Sequence, residues 1–181
     1  EGGHKVGRFA LPAEWPRMEA VDPGVVNPGK GWFAHDPVEN VYYLYRIEKG
    51  GKRRNAKEHA ADDVALAKRE GERVIWWAVG AKSEKYWRED YEAAGAKPAK
   101  EPPTAEVEEG IDRVDQLIRE HRLYIFDDLH DWWDEALRYA REIKNGEATK
   151  AIKDKATKLI ASVKSSSTAQ SYNRPFVESR R

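Results

Sequence analysis

Arg17-Met18-Glu19-Ala20-Val21-Asp22-Pro23-Gly24 reads as a short, half-apolar strand that stops at an acidic turn. Asp-Pro-Gly is turn chemistry, and Asp22 sits where the strand ends, on the loop side of its sheet, where functional groups tend to gather. Position alone fits a structural turn and a metal ligand equally well.

The segments that follow say which sheet this strand joins. The turn-rich Asn27-Pro28-Gly29-Lys30-Gly31 leads into a second strand at Trp32-Phe33-Ala34, and the aromatic, β-branched run from Val41 to Glu48 predicts a third. Three sequential strands with short turns predict an antiparallel meander. Asn55 with Glu58 three residues on is a capping box, opening a helix that Gly71 ends, with Ala60, Val64 and Ala67 on its inner stripe. Val74 to Val79 is a continuous apolar run, which predicts a central strand covered on both faces. A helix from Ser83 to Ala94 stops at Gly95, and the proline-rich Lys97 to Pro103 predicts a loop. Glu106 to His121 carries apolar residues at helical spacing, Leu123 to Phe126 makes a fifth strand, and helices follow at Leu129–Lys144 and Thr149–Val163. The expectation is an α/β domain: a mixed five-stranded sheet, antiparallel meander first and parallel crossovers later, with helices on both faces. Residues 1–16 read as an N-terminal extension, 17–164 as the domain and 165–181 as a flexible basic tail.

Of the 181 residues 40% are hydrophobic and 35% charged, which suits one compact soluble domain. No stretch approaches the roughly 20 apolar residues of a membrane span, and no secretion signal is visible. The absence of cysteine removes disulfides, thiol nucleophiles and cysteine-zinc sites, which leaves carboxylates, five histidines and hard metals. Formal net charge is zero, yet from Lys150 onward eight basic residues face two acidic ones, so a basic end of +6 balances a body of −6. Such asymmetry suits a tail that meets phosphate or an acidic partner, and a solvated helix face with a disordered tail accounts for it as well. The chain opens on Glu1 and its one methionine is Met18, which predicts that it is part of something longer.

Gly24-Val25-Val26-Asn27-Pro28-Gly29-Lys30-Gly31 approaches the phosphate-loop pattern and fails it twice. Gly31 replaces the hydroxyl residue, and a strand follows where a helix is needed. A second acidic cluster, Asp127, Asp128, His130, Asp131, Asp134 and Glu135, follows the fifth strand; Asp131 and Glu135 share a helix face and could hold a cation, and capping or ion pairing explains them too. The histidines lack zinc-hydrolase spacing, and the seven tryptophans read as core.

Four strings in order carry a resemblance: Met18-Glu19-Ala20-Val21-Asp22-Pro23-Gly24, the Val79-Gly80 turn, Gly110-Ile111-Asp112-Arg113-Val114 and Arg122-Leu123-Tyr124-Ile125-Phe126. On these the chain resembles the C-terminal nuclease domain of the large terminase subunit of tailed bacteriophages, a ribonuclease H-like fold. The resemblance implies an endonuclease of DNA packaging that cuts by two-metal hydrolysis with Mg²⁺ or Mn²⁺. It also implies double-stranded DNA as substrate, an ATPase domain, small subunit and portal as partners, and the cytoplasm of a bacterial host as location.

In that family three acids converge. Asp22 matches the first and is a metal ligand by resemblance, with Asp127 and Asp128 as lesser candidates; Ala81 stands where the second is expected. For the third, one register places Ala161 at the acid position, and a competing one aligns His130 to Tyr139 with Glu135 as the acid beside Asp131. Element order favours the first of these. The implied metal site is then incomplete or disabled, with Mg²⁺ or Mn²⁺ expected if it is active and no metal bound as the alternative, and Lys49, Lys52, Arg53, Arg54 and Lys82 are the expected phosphate contacts. The other readings are a non-catalytic module or scaffold of the same fold that binds DNA or a partner protein, and a Holliday-junction resolvase.

Overall fold

The computed structural model describes residues 3–24, 28–50, 54–102 and 107–136. The helix expected at 149–163, the tail 165–181, Lys52, Arg53 and Ala161 lie outside the described residues, as does the helix expected at 129–144 beyond residue 136.

In chain order the elements are β1 (Lys5–Val6), β2 (Arg17–Asp22), β3 (Gly29–Asp36), β4 (Val41–Lys49), α1 (Ala56–Arg69), β5 (Val74–Val79), α2 (Lys85–Ala94), β6 (Ala99–Lys100), α3 (Val107–Arg119) and β7 (Leu123–Phe126). Helical backbone resumes at 130–136. The strands form one mixed sheet in the order β1-β7-β4-β3-β2-β5-β6, with β3 antiparallel to both neighbours and every other pairing parallel. The β2-β3-β4 meander is therefore present, and the later strands join in parallel through helical crossovers.

Local chemistry places the helices as read. The Asn55 side chain accepts from the Glu58 N–H at 2.9 Å and Glu58 accepts from the Asn55 N–H at 2.8 Å, closing the capping box of α1. Gly95 ends α2 in the left-handed region at φ 104°, which a side chain at that position would resist.

Alternation along β2 divides the core in two. Met18 and Ala20 join Phe33, Leu44, Ile125, Leu117 of α3 and Leu129 on one face; Val21 joins Trp77, Val79, Ala60, Val64, Trp87 and Tyr91 under α1 and α2 on the other. Helices thus cover both faces, as expected for the α/β class. Trp32, Trp77 and Trp87 are buried, in keeping with the core reading of the tryptophans.

Three expectations change. The sheet has seven strands instead of five, because Lys5–Val6, inside the expected extension, pairs with β7, and Ala99–Lys100, inside the expected loop, pairs with β5. Two-residue strands are too short for a period-2 pattern to show. Strand β5 is not central either, since only β6 lies beyond it. A continuous apolar run reports coverage of both faces and is silent on how many strands flank it.

Candidate functional site: the carboxyl edge of the sheet

Because β2, β4 and β5 run the same way, their carboxyl ends open on one edge, together with the start of β3. Asp22, Gly29 and Lys49 form one row across β2, β3 and β4, with Asp22 opposite Gly29 and Gly29 opposite Lys49. Directly opposed residues share a face, so Asp22 and Lys49 rise on the same side with a residue lacking a side chain between them. A Cβ at Gly29 would meet the Asp22 Cβ at 3.7 Å, an ordinary contact, so glycine there leaves the space beside Asp22 open.

Next to Asp22 stands the turn after β5. The Gly80 N–H donates to the Val21 carbonyl at 3.0 Å, and Gly80 adopts φ 62°. A side chain at Gly80 would run into Glu84 and Pro23 at 2.8–2.9 Å, so two chain segments meet at this glycine. The Ala81 N–H donates to Glu84 Oε2 at 2.6 Å. Arg88 of α2 donates to the carbonyls of Val79 at 3.0 Å, Ala81 at 2.7 Å and Lys82 at 3.2 Å. Ala81, half-buried, is thereby fixed one strand away from Asp22.

On the other side of the row the Lys49 ammonium meets Glu135 Oε1 at 2.8 Å and donates to the Asp131 carbonyl at 3.0 Å. Trp132 and Trp133 anchor this segment on the core beneath Met18 and Ala20, the face that Asp22 continues. The fold thus brings Glu135, through Lys49, to the Asp22 side of the sheet. Asp127 and Asp128 follow β7, three strand spacings or roughly 14 Å from β2. Asp128 is turned toward the N-terminal segment, where Arg8 donates to it at 2.5 and 2.9 Å and holds its carboxyl below the usual carboxylate range.

Two of the expected phosphate contacts already have carboxylate partners, Lys49 with Glu135 and Arg54 with Asp62, while Lys82 is exposed beside Ala81. Lys30, the lysine of the phosphate-loop lookalike, is buried against Asp63 at 2.7 Å and cannot reach a nucleotide. Among the described residues no three His, Asp or Glu side chains gather in a manner that would hold a metal ion. Asp22 and Glu135 alone are too few donors for two dications about 4 Å apart, so the described residues do not fit the implied metal pair.

The sequence reading did not single out Glu84 and Arg88, which shape the β5–α2 turn. The three-residue spacing from Ala81 to Glu84, a capping-box spacing, was their available signal.

No family model and no curated protein matches the sequence. Solved structures do match. The large terminase nuclease domain of P22 superimposes with TM-score 0.57 at 19% identity, over 75% of this chain and 73% of that one. The large terminase (g2p) nuclease domain of bacteriophage SPP1, in a structure with bound Mn, superimposes with TM-score 0.58 at 17% identity, over 90% and 95%. The chain has the fold of a phage terminase nuclease domain. This ribonuclease H-like fold agrees with the resemblance carried by the four sequence strings. A fowlpox virus Holliday junction resolvase reaches TM-score 0.47 at 15% identity over 85% of this chain.

Proposed function

We propose that the chain is a terminase-type nuclease domain that engages double-stranded DNA at the carboxyl edge of its sheet, with a reduced metal site. The observation that carries this reading is the placement of Asp22 at the tip of β2 beside the Gly80-Ala81 turn of β5, within a fold matched over most of its length by two terminase nuclease domains. One carboxylate stands at the strand tip, and Ala81 presents a methyl group where a second would face it. The position of Glu135 on the Asp22 side supports it as the acid of the helical segment. DNA contact would run through phosphate, from Lys82 and from Lys49 once it leaves Glu135, and would carry little sequence preference. The ATPase domain, the small subunit, the portal and the host cytoplasm belong to this reading by resemblance.

Plasmid nicking with Mg²⁺ or Mn²⁺, run beside duplex binding in EDTA, tests it. Retained binding with weak or absent cleavage is the expected result. Robust metal-dependent cleavage by the unaltered chain would overturn the reduced site, and loss of all duplex binding would overturn the DNA reading.

A further inference from the structure

On the face covered by α1 and α2, behind the edge just described, lies a closed cluster of ionisable groups. Glu19 of β2 is 0% exposed, Lys30 of β3 2%, Asp63 of α1 2% and Tyr91 of α2 0%. The Lys30 ammonium lies 2.7 Å from Asp63 Oδ1, and the Tyr91 hydroxyl donates to Asp63 Oδ2 at 2.5 Å. One carboxylate therefore joins a strand and two helices. Glu48 of β4 approaches Lys30 at 3.5 Å from the exposed rim, and His59 of α1 stands beside the cluster with Arg54 acting on it from outside.

Glu19 is the group that this arrangement leaves over. Neither oxygen of its carboxyl group has a hydrogen-bond partner of good geometry, although the Trp32 indole and Asp63 both face it. Within the closed space two carboxyl groups share one ammonium, and that ammonium is already against Asp63. An ionised Glu19 would be a second negative charge with no counter-charge of its own and only the Trp32 indole facing it as a donor, an arrangement that burial penalises heavily.

We propose that Glu19 is a neutral carboxylic acid in the folded protein, and that its proton is a lock that holds the α1 and α2 helices on the sheet. With the proton in place the cluster is charge-balanced, Lys30 against Asp63. Without it, two carboxylates oppose each other across one lysine, and the contact that yields is the packing of the helices. Burial, then the facing Asp63 carboxylate, push Glu19 well above its ordinary value of 4.5, in the direction that this geometry demands. The lock bears on the functional edge because α2 carries Arg88, which holds the carbonyls of Val79 and Ala81. It does not depend on the nuclease reading.

The sign follows from linkage. A raised folded value means that the folded state holds a proton which the unfolded state releases above about 4.5, so stability declines as pH rises from there until the folded value is passed. Unfolding by urea across that range, compared with Glu19→Gln, is the direct test. The folding equilibrium of the parent should fall relative to the variant by up to about tenfold per pH unit, one proton's worth. Amide exchange in α1 and α2, compared at equal pH, should become faster in the parent than in the variant on the alkaline side. Parallel profiles would overturn the proposal. Should Glu19→Gln not fold, infrared spectra of the parent labelled with ¹³C-glutamate decide: an isotope-shifted carbonyl stretch of a protonated carboxyl group at neutral pH supports the lock, and its absence removes it.

Discussion

The Lys49 ammonium lies 2.8 Å from Glu135 Oε1, joining the end of β4 to the helical segment 130–136 and standing in the same row as Asp22. Its side chains are 34% and 56% exposed, so solvent screens the pair and its contribution to stability is about 0.2–1 kcal/mol. Glu135→Gln should therefore cost little stability while freeing Lys49 for phosphate. Duplex affinity should rise, and the slope of log affinity against log salt should steepen by about one contact. Fluorescence anisotropy over a salt series measures both; an unchanged slope would mean that Lys49 stays off the DNA.

Gly80→Ala should be damaging despite adding one methyl group. The backbone at Gly80 has φ 62°, and the new Cβ would lie 2.8–2.9 Å from Glu84 and Pro23. Left-handed backbone costs a non-glycine residue about 1–3 kcal/mol, and the collision with Pro23 adds to it. Urea denaturation checks this, and a loss under roughly 0.5 kcal/mol, the range of a surface change, would contradict the close approach.

Ala81→Asp places a carboxylate beside Asp22 on a turn already held by Glu84 and Arg88. Under the proposed function, Mn²⁺ should stabilise this variant more than the parent, by about 2.7 kcal/mol when the ion is at 100 times its dissociation constant. Thermal unfolding with Mn²⁺ and then with EDTA reads the difference. Equal shifts in variant and parent would argue that position 81 does not face the metal.

Tyr91→Phe deletes the hydroxyl that reaches Asp63 Oδ2 and leaves a buried carboxylate one donor short. The expected loss is about 1–3 kcal/mol, larger than for an exposed hydrogen bond because the group left behind is charged and buried. Equilibrium unfolding at neutral pH measures it.

Acid should weaken the fold through two buried histidines. His35 is stacked on Tyr42 at 4.6 Å, and burial holds it below its ordinary 6.5, with the Arg122 guanidinium acting in the same direction; burial followed by Lys30 lowers His59. The folded state thus resists protonation that the unfolded state accepts. Their contribution is complete above pH 6.5 and is lost as the pH falls below that value, at no more than about 1.4 kcal/mol per pH unit for each. His35→Gln should flatten the acid limb of a stability-versus-pH curve, and an unchanged limb would assign the loss to other groups.

Much of the candidate site was legible in the primary structure, although unevenly. Asp22 was visible because a carboxylate followed by Pro23-Gly24 marks a strand tip locally. Ala81 was named only through the resemblance, which expects an acid after Gly80. Between Glu135 and Ala161 two short strings fit one motif, and element order favoured Ala161. Tertiary packing brings Glu135 to Lys49, while Ala161 lies outside the described residues. Glu19 escaped notice because a single acid in an apolar strand normally points outward; it points inward here because Met18 and Ala20 claim the other face.

What the sequence by itself determined is whatever is settled within a few residues: the capping box of Asn55 and Glu58, the left-handed stop at Gly95, and the existence of strands β2 and β4. These depend on near-neighbour hydrogen bonds and sterics, which a short window contains. Only the tertiary structure decided that Lys5–Val6 and Ala99–Lys100 complete the sheet and that β5 lies near its edge. It alone turned Lys30 toward Asp63, away from any phosphate, and Lys49 toward Glu135. Strand order and the partner of a buried charge follow from which distant surfaces meet and exclude water, and no local pattern in the chain encodes that meeting.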